Sequence, residues 1–186
     1  LQWTLAQDHS CVQLHRAQPP IYVNARGKLY DSGLGAVWGL FCFRRGIADF
    51  GEVLARRPGF VGALSNRAAL HCRLGEIQAE RGEDPATSWR AATEDLDEVV
   101  KRAPDQPLAR MQRGGLAIKL AEIEAAAGTD SRSRLRGAIA DLDAALAAGL
   151  DDADVRNDRA MAHWAMGSAV LARGEDPRAS FGAALQ

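Results

Sequence analysis

The sequence has 186 residues, enough for one domain or one short repeat array, and its 23 Lys and Arg against 24 Asp and Glu give a net charge of −1. This balance excludes a dedicated binder of nucleic acid or of anionic membranes, which carries a strong basic surplus. No stretch approaches the ~18 consecutive apolar residues of a membrane-spanning helix. Hydrophobic residues make up 47%, much of it alanine, and aromatic residues only 6%, which favours close-packed helices over β-sheets.

The N-terminal segment LQWTLAQDHS has neither the basic nor the apolar region of a signal peptide. It also lacks a Met, so we expect the chain to be part of a longer or processed polypeptide. The three cysteines, Cys11, Cys42 and Cys72, are far apart and odd in number, which favours reduced thiols over a disulfide framework. These features predict a cytoplasmic protein.

Hydrophobic periodicity and helix-ending residues predict eight helices. In chain order, they cover residues 21–42, 44–57, 61–81, 85–103, 107–127, 131–148, 153–173 and 177–186. Gly82 and Gly174 are predicted to end helices in the left-handed conformation. Asp84 is predicted to cap the next helix, with Pro85 as its first residue. Residues 1–19 are predicted to form an N-terminal half-repeat or capping helix.

An internal repeat is the strongest signal in the sequence. Asp49, Asp95 and Asp141 are separated by 46 residues each. The same step relates arginines, glycines and large apolar residues further along each unit. The matching sets are Arg67, Arg113 and Arg159; Gly82, Gly128 and Gly174; and Trp89, Leu135 and Phe181. A repeat of this length predicts an array of two-helix units that share one core.

The second helix of each unit carries a small residue, a large residue and another apolar residue at helical spacing, as in Ala138, Leu142 and Ala145. Pro58 and Pro104 close two of the units. This pattern resembles the tetratricopeptide repeat (TPR) family, whose helix–turn–helix units have 34 residues. The resemblance implies an all-α, right-handed helical-hairpin solenoid of about 3.5 units, with helices elongated to fit the longer period. The TPR-like array covers residues 20–186, with units near 20–58, 61–104, 107–150 and 153–186.

The resemblance further implies a non-catalytic scaffold that binds a peptide or partner helix in a concave groove lined by the first helix of each unit. We predict no cofactor and, from the charge balance, neither a nucleic-acid nor a membrane partner. The groove-facing positions it implies are Asn24, Lys28, Ser65, Asn66, Arg73, Met111, Gln112, Lys119, Asn157 and Asp158.

An alternative function is self-assembly. Long-helix repeats of this kind look similar to those attached to bacterial signalling proteins, including Ser/Thr kinases. The chain would then be an oligomerisation module of a larger signalling protein, forming a homodimer through an uncapped repeat end.

Local patterns for catalysis or metal binding are incomplete. His9, Cys11 and His15 are suitable zinc ligands, but a fourth ligand is not evident. The glycines between Gly33 and Gly39 have the wrong spacing for a dinucleotide-binding loop. A G-x-S-x-G motif is absent from the sequence, and Asp97 is interpreted as a helix-surface charge. We therefore predict no enzyme activity, no catalytic residue and no metal site.

Arginine recurs once per unit on the first helix and aspartate once per unit on the second. The arginines are Arg26, Arg67, Arg113 and Arg159, and the aspartates are Asp49, Asp95 and Asp141. The arginines could form an anion-binding strip, but four cations along one groove would repel each other. The favoured interpretation is that each arginine pairs with one of these aspartates in its own or the preceding unit. Trp89, Leu135 and Phe181 are predicted to be buried between the helices of their own units.

Overall fold

The computed structural model describes residues 33–185, which fold into α-helices without a β-strand. The helices are α1 (Gly33–Arg56), α2 (Val61–Glu80), α3 (Ala86–Arg102), α4 (Pro107–Ala126), α5 (Arg132–Ala147), α6 (Ala153–Leu171) and α7 (Arg178–Ala184). The all-α prediction is therefore confirmed for this part of the chain. From α2 onward, every predicted boundary lies within two residues of the observed one.

The predicted break between helices 21–42 and 44–57 is wrong, because α1 continues through it without interruption. No proline lies within α1, and Gly46 remains helical instead of forming a turn. A Cβ atom at Gly46 would come within 2.7 Å of Leu70 Cδ1, so this glycine allows α2 to approach α1 closely. The predicted start of this first unit, residues 20–32, lies outside the described residues.

Each helix packs against the next one in the chain, and α4 also contacts α6. One apolar cluster joins α1 to α4 through residues such as Leu54, Leu64, Leu96 and Leu116. Further clusters continue from α4 to α6. Contacts between neighbouring elements around a continuous core are typical of repeat arrays.

Glycines with positive φ end four of the helices. The predicted caps Gly82 and Gly174 have φ of 71° and 75°, which confirms both, and Gly128 has 73°. Gly149, which sequence reasoning missed, has φ of 88°. At Gly82 the following amide, that of Glu83, donates to the Gln78 carbonyl, so the last carbonyls of α2 are satisfied.

Gly82→Ala is expected to destabilise the protein by about 1 kcal/mol, because an alanine side chain disfavours the left-handed conformation. No heavy atom lies within 4 Å of a Cβ built at Gly82, so the cost comes from the backbone alone. Gly137→Ala is the matched control, because Gly137 is exposed within α5 and its Cβ would also meet open space. In a helix interior, this change should stabilise by about 0.5–1 kcal/mol. Urea unfolding of both variants checks the opposite signs, and a stabilised Gly82→Ala would contradict the cap.

The acidic residues before the second helices accept hydrogen bonds from the first helical amides. The Asp84 carboxylate accepts a hydrogen bond of 2.9 Å from the Ala86 amide. Asp130 and Asp176 accept the corresponding bonds from the amides two residues later. The N-cap position of α3 is Pro85, one residue later than predicted, although the Asp84 carboxylate does accept a bond from the first helical amide.

Large side chains fill the space between the two helices of each unit. Trp89 and Leu135 are buried, as predicted, whereas Phe181 is only partly buried. Trp89 lies against Gly75, and Phe181 lies against Gly167. Gly75 and Gly167 are 92 residues apart, so they occupy equivalent positions two repeats apart. In the intervening unit, the smaller Leu135 shares its cluster with Ala121. The size of the residue on one helix is thus matched by the size of its partner on the other.

Candidate protein-binding site

Two of the repeated arginines form bidentate ion pairs with the repeated aspartates. Arg67 of α2 donates two hydrogen bonds, of 2.8 and 2.6 Å, to the carboxylate of Asp95 in α3. Arg113 of α4 donates two of 2.6 Å to Asp141 in α5. Both aspartates are buried, so each guanidinium neutralises a charge held between the helices of its unit. These hydrogen bonds raise the pKa of both arginines above the ordinary value.

The other predicted members of this set pair differently. Asp49 is exposed and forms an ion pair of 3.1 Å with Arg45 on its own helix. Arg159 lies 3.6 Å from Asp143, which is not one of the predicted aspartates. The fourth arginine, Arg26, lies outside the described residues.

A second periodic pairing links one unit to the next. Arg113 also donates to Asp97 of the preceding unit at 2.8 Å. Asp97 and Asp143 are 46 residues apart, as are Arg113 and Arg159, so Arg159 with Asp143 repeats this contact. Asp97 is 59% exposed and is thus a helix-surface charge, as interpreted, but it also pairs with Arg113 of the next unit. Since these guanidiniums already bind carboxylates, the arginines do not form an open strip for anions.

A separate strip of charges crosses the first helices α2, α4 and α6. Lys119 on α4 donates to Glu76 on α2 at 3.1 Å, and Arg73 donates to the same carboxylate at 2.6 Å. Asp158 on α6 lies against Gly115, where a Cβ atom would be 3.2 Å from Asp158 Oδ2. We call Arg73, Glu76, Lys119 and Asp158 the first-helix strip. All four side chains are partly exposed, so they are accessible to a ligand.

The environment of the strip sets the charge of its two acids. Burial disfavours the ionised form of Glu76, but hydrogen bonds from Arg73 and Lys119 outweigh it and lower its pKa. Burial, followed by the nearby Asp154, raises the pKa of Asp158, which the attraction of Lys119 only partly offsets. Lys119 Nζ also lies 5.4 Å from the centre of the Trp89 ring. Lys119 is therefore the central cation of the strip.

The predicted groove residues in the described part of the chain lie on these same three helices. Asn157 is exposed and the others are partly exposed; the full set is Ser65, Asn66, Arg73, Met111, Gln112, Lys119, Asn157 and Asp158. Asn24 and Lys28 lie outside the described residues. Sequence reasoning missed Glu76, although its position three residues after Arg73 is a signal for an ion pair within a helix.

Two further residues near the strip, His71 and Cys72, are held in their neutral forms. Burial lowers the pKa of His71, whose Nδ1 has no hydrogen-bond partner. Burial raises the pKa of Cys72 to about 12, so its thiol is protonated at neutral pH and is a poor nucleophile.

Residues 33–185 contain neither a cluster of metal-ligating side chains nor a membrane-spanning helix. In this range, His, Cys, Asp and Glu side chains do not gather into a group of three or more that could hold a metal ion. The pattern His9, Cys11 and His15 lies outside the range. None of the helices between these limits has both the length and the apolar character that crossing a bilayer requires.

Comparison with known proteins gives no match. No family model matches the sequence, and neither a curated protein nor a solved structure was found to match it. The tetratricopeptide resemblance therefore depends on the repeated residues alone and stays a prediction.

Proposed function

We propose that this protein is a non-catalytic protein-binding scaffold: a right-handed, TPR-like solenoid that holds a peptide or partner helix along the first helices of its units. The observation that carries the proposal is the first-helix strip, in which Arg73, Glu76, Lys119 and Asp158 from three successive units form one accessible row. A groove lined by repeated first helices suits an elongated ligand that contacts several units at once.

The chemistry of the row favours a polypeptide ligand over a small anion. Its two cations, Arg73 and Lys119, already face Glu76, so the local charge is nearly balanced. Partly exposed amides on the same helices, including Asn66 and Gln112, have donors and acceptors that match a peptide backbone. Alternating charges also fix the register of a bound chain more than they increase its affinity.

Lys119→Gln is expected to weaken binding of a peptide selected from a random library at least about tenfold, because it removes the central cation of the row. Arg73 still bonds Glu76 in this variant, so the acid is not left without a partner. Lys101→Gln is the matched control, because Lys101 is 77% exposed and lies on a second helix, α3. Fluorescence anisotropy with the full chain measures both affinities, and circular dichroism verifies that both variants are folded.

Failure of the library to give any saturable binder would count against a peptide-binding function. Equal affinity of the Lys119→Gln and Lys101→Gln variants would show that a bound peptide does not use the first-helix strip.

A further inference from the structure

Helix α6 exposes a continuous seam of side chains with coiled-coil spacing. The seam consists of Asn157, Met161, Trp164, Ser168 and Leu171, all exposed and separated alternately by four and three residues. Trp164 and Leu171 remain 58% and 57% exposed, which is unusual for large apolar side chains. An alternation of four and three residues aligns side chains for packing against one other helix.

The first half of the corresponding face of α4 is covered by the structure itself, whereas Glu122 and Ala125, equivalent to Ser168 and Leu171, are exposed. Met111, Gly115 and Ile118 occupy the positions 46 residues before Asn157, Met161 and Trp164. Ile118 is only 6% exposed, and Met111 and Ile118 share an apolar cluster with α6. Helix α6 therefore exposes the face with which α4 contacts α6. The α6 seam continues a helix–helix interface that the array already uses.

A further unit docked in the same way does not fit the α6 seam. Gly115 allows α6 to come close to α4, since a Cβ there would lie 3.2 Å from Asp158 Oδ2. In α6, this position is Met161, whose long side chain prevents an equally close approach. Trp164 stands beside it and is tilted against Phe181, with ring centres 5.0 Å apart. The partner must therefore offer a small side chain opposite Met161 and a surface against which the Trp164 ring can pack.

We propose that the α6 seam binds the α6 seam of a second copy of this chain, with the two helices antiparallel and the two-fold axis at Trp164. This arrangement places Met161 of each copy opposite the small Ser168 of the other, and Leu171 opposite Asn157. It also brings Arg173, whose ion pairs within the chain are long at 3.5 and 3.6 Å, next to Asp154 of the other copy. Antiparallel helix dipoles add to this complementarity.

This dimer is independent of the proposed peptide binding, apart from Asn157, which belongs to both surfaces. Trp164→Glu is expected to weaken dimerisation at least about 30-fold, because a buried aromatic residue at the centre of an interface contributes strongly. Leu108→Glu is the matched control, since Leu108 is an exposed apolar residue of α4 outside the seam. Sedimentation equilibrium of the full chain up to about 100 µM measures both. Circular dichroism checks that loss of the Trp164 contact with Phe181 leaves α7 folded.

Cysteine crosslinking tests the orientation without altering Trp164. Oxidation of a mixture of the Met161→Cys and Ser168→Cys variants should yield disulfide-linked dimers. Each variant alone, like the wild type with its native cysteines, should yield few. A wild-type monomer at every concentration would overturn the proposal, as would a dimer that Trp164→Glu leaves intact. Efficient crosslinking of each single variant to itself would indicate parallel helices and would also overturn it.

Discussion

Trp89→Ala is expected to destabilise the protein by about 3–5 kcal/mol, the usual cost of truncating a buried aromatic side chain. Trp89 is 7% exposed and belongs to the cluster that joins α1 to α4, so its loss leaves a cavity at the centre of the array. Phe181→Ala should cost less, because Phe181 is only partly buried. Equilibrium unfolding in guanidinium chloride measures both, and equal costs would contradict the difference in burial.

The contact between Gly75 and Trp89 can be tested more specifically by changing the sizes of both residues. A methyl group at Gly75 would overlap the indole of Trp89, so Gly75→Ala should cost about 1–3 kcal/mol through overpacking. The double variant Gly75→Ala with Trp89→Leu reproduces the pair Ala121 and Leu135 of the next unit. Leucine also removes the Trp89 Nε1 donor, which is buried without a partner.

The double variant is therefore expected to be more stable than the sum of the two single changes predicts, by at least about 1 kcal/mol. A double-mutant cycle in the same unfolding assay measures this coupling. Strict additivity would mean that Gly75 and Trp89 do not constrain each other, in conflict with their contact.

Arg67→Ala is the second change with a large expected effect, a loss of about 3 kcal/mol. It leaves the carboxylate of Asp95, whose side chain is 5% exposed, buried without its counter-charge. Arg113→Ala should cost less, because Arg110 lies 3.3 Å from Asp141 and still provides a positive charge. The position equivalent to Arg110 in the preceding unit is the apolar Leu64. The residue at that position therefore cannot provide a second positive charge for Asp95.

Arg159→Ala completes this series as the control. Its ion pair with Asp143 is 3.6 Å long and the aspartate is 54% exposed, so the change should cost no more than about 0.5 kcal/mol. Losses of unfolding free energy that decrease in the order Arg67→Ala, Arg113→Ala, Arg159→Ala would agree with the structure. Equal losses at the three positions would show that burial of the carboxylates does not determine the strength of these pairs.

The helices could be predicted from sequence because their ends have local causes. Gly82 and Gly174 supply the left-handed conformation, and Asp84 accepts an amide hydrogen bond, so each end depends on a few neighbouring residues. The continuity of α1 could not be predicted in this way. It depends on Gly46 packing against Leu70, a contact between residues far apart in the sequence.

In the candidate site, too, some contacts could be predicted from the sequence and others depend on how distant segments pack. The spacing of Arg67 and Asp95 recurs in Arg113 and Asp141, so the pairing could be inferred from the repeat. The bond from Arg113 to Asp97 and the bond from Lys119 to Glu76 join different units. Their formation depends on how successive units are packed, which a single sequence does not specify. The exposure of Trp164 could not be predicted from the sequence for the same reason. Its equivalent in the preceding unit, Ile118, is buried.

Amide chemical-shift mapping of a library-selected peptide on the isotope-labelled chain tests the proposed protein-binding function most directly. We predict that the largest shifts occur on α2, α4 and α6, around Arg73, Lys119 and Asp158, and that α3 and α5 change little. Shifts confined to α3 and α5, or the absence of any saturable shift, would contradict a peptide-binding groove along the first helices.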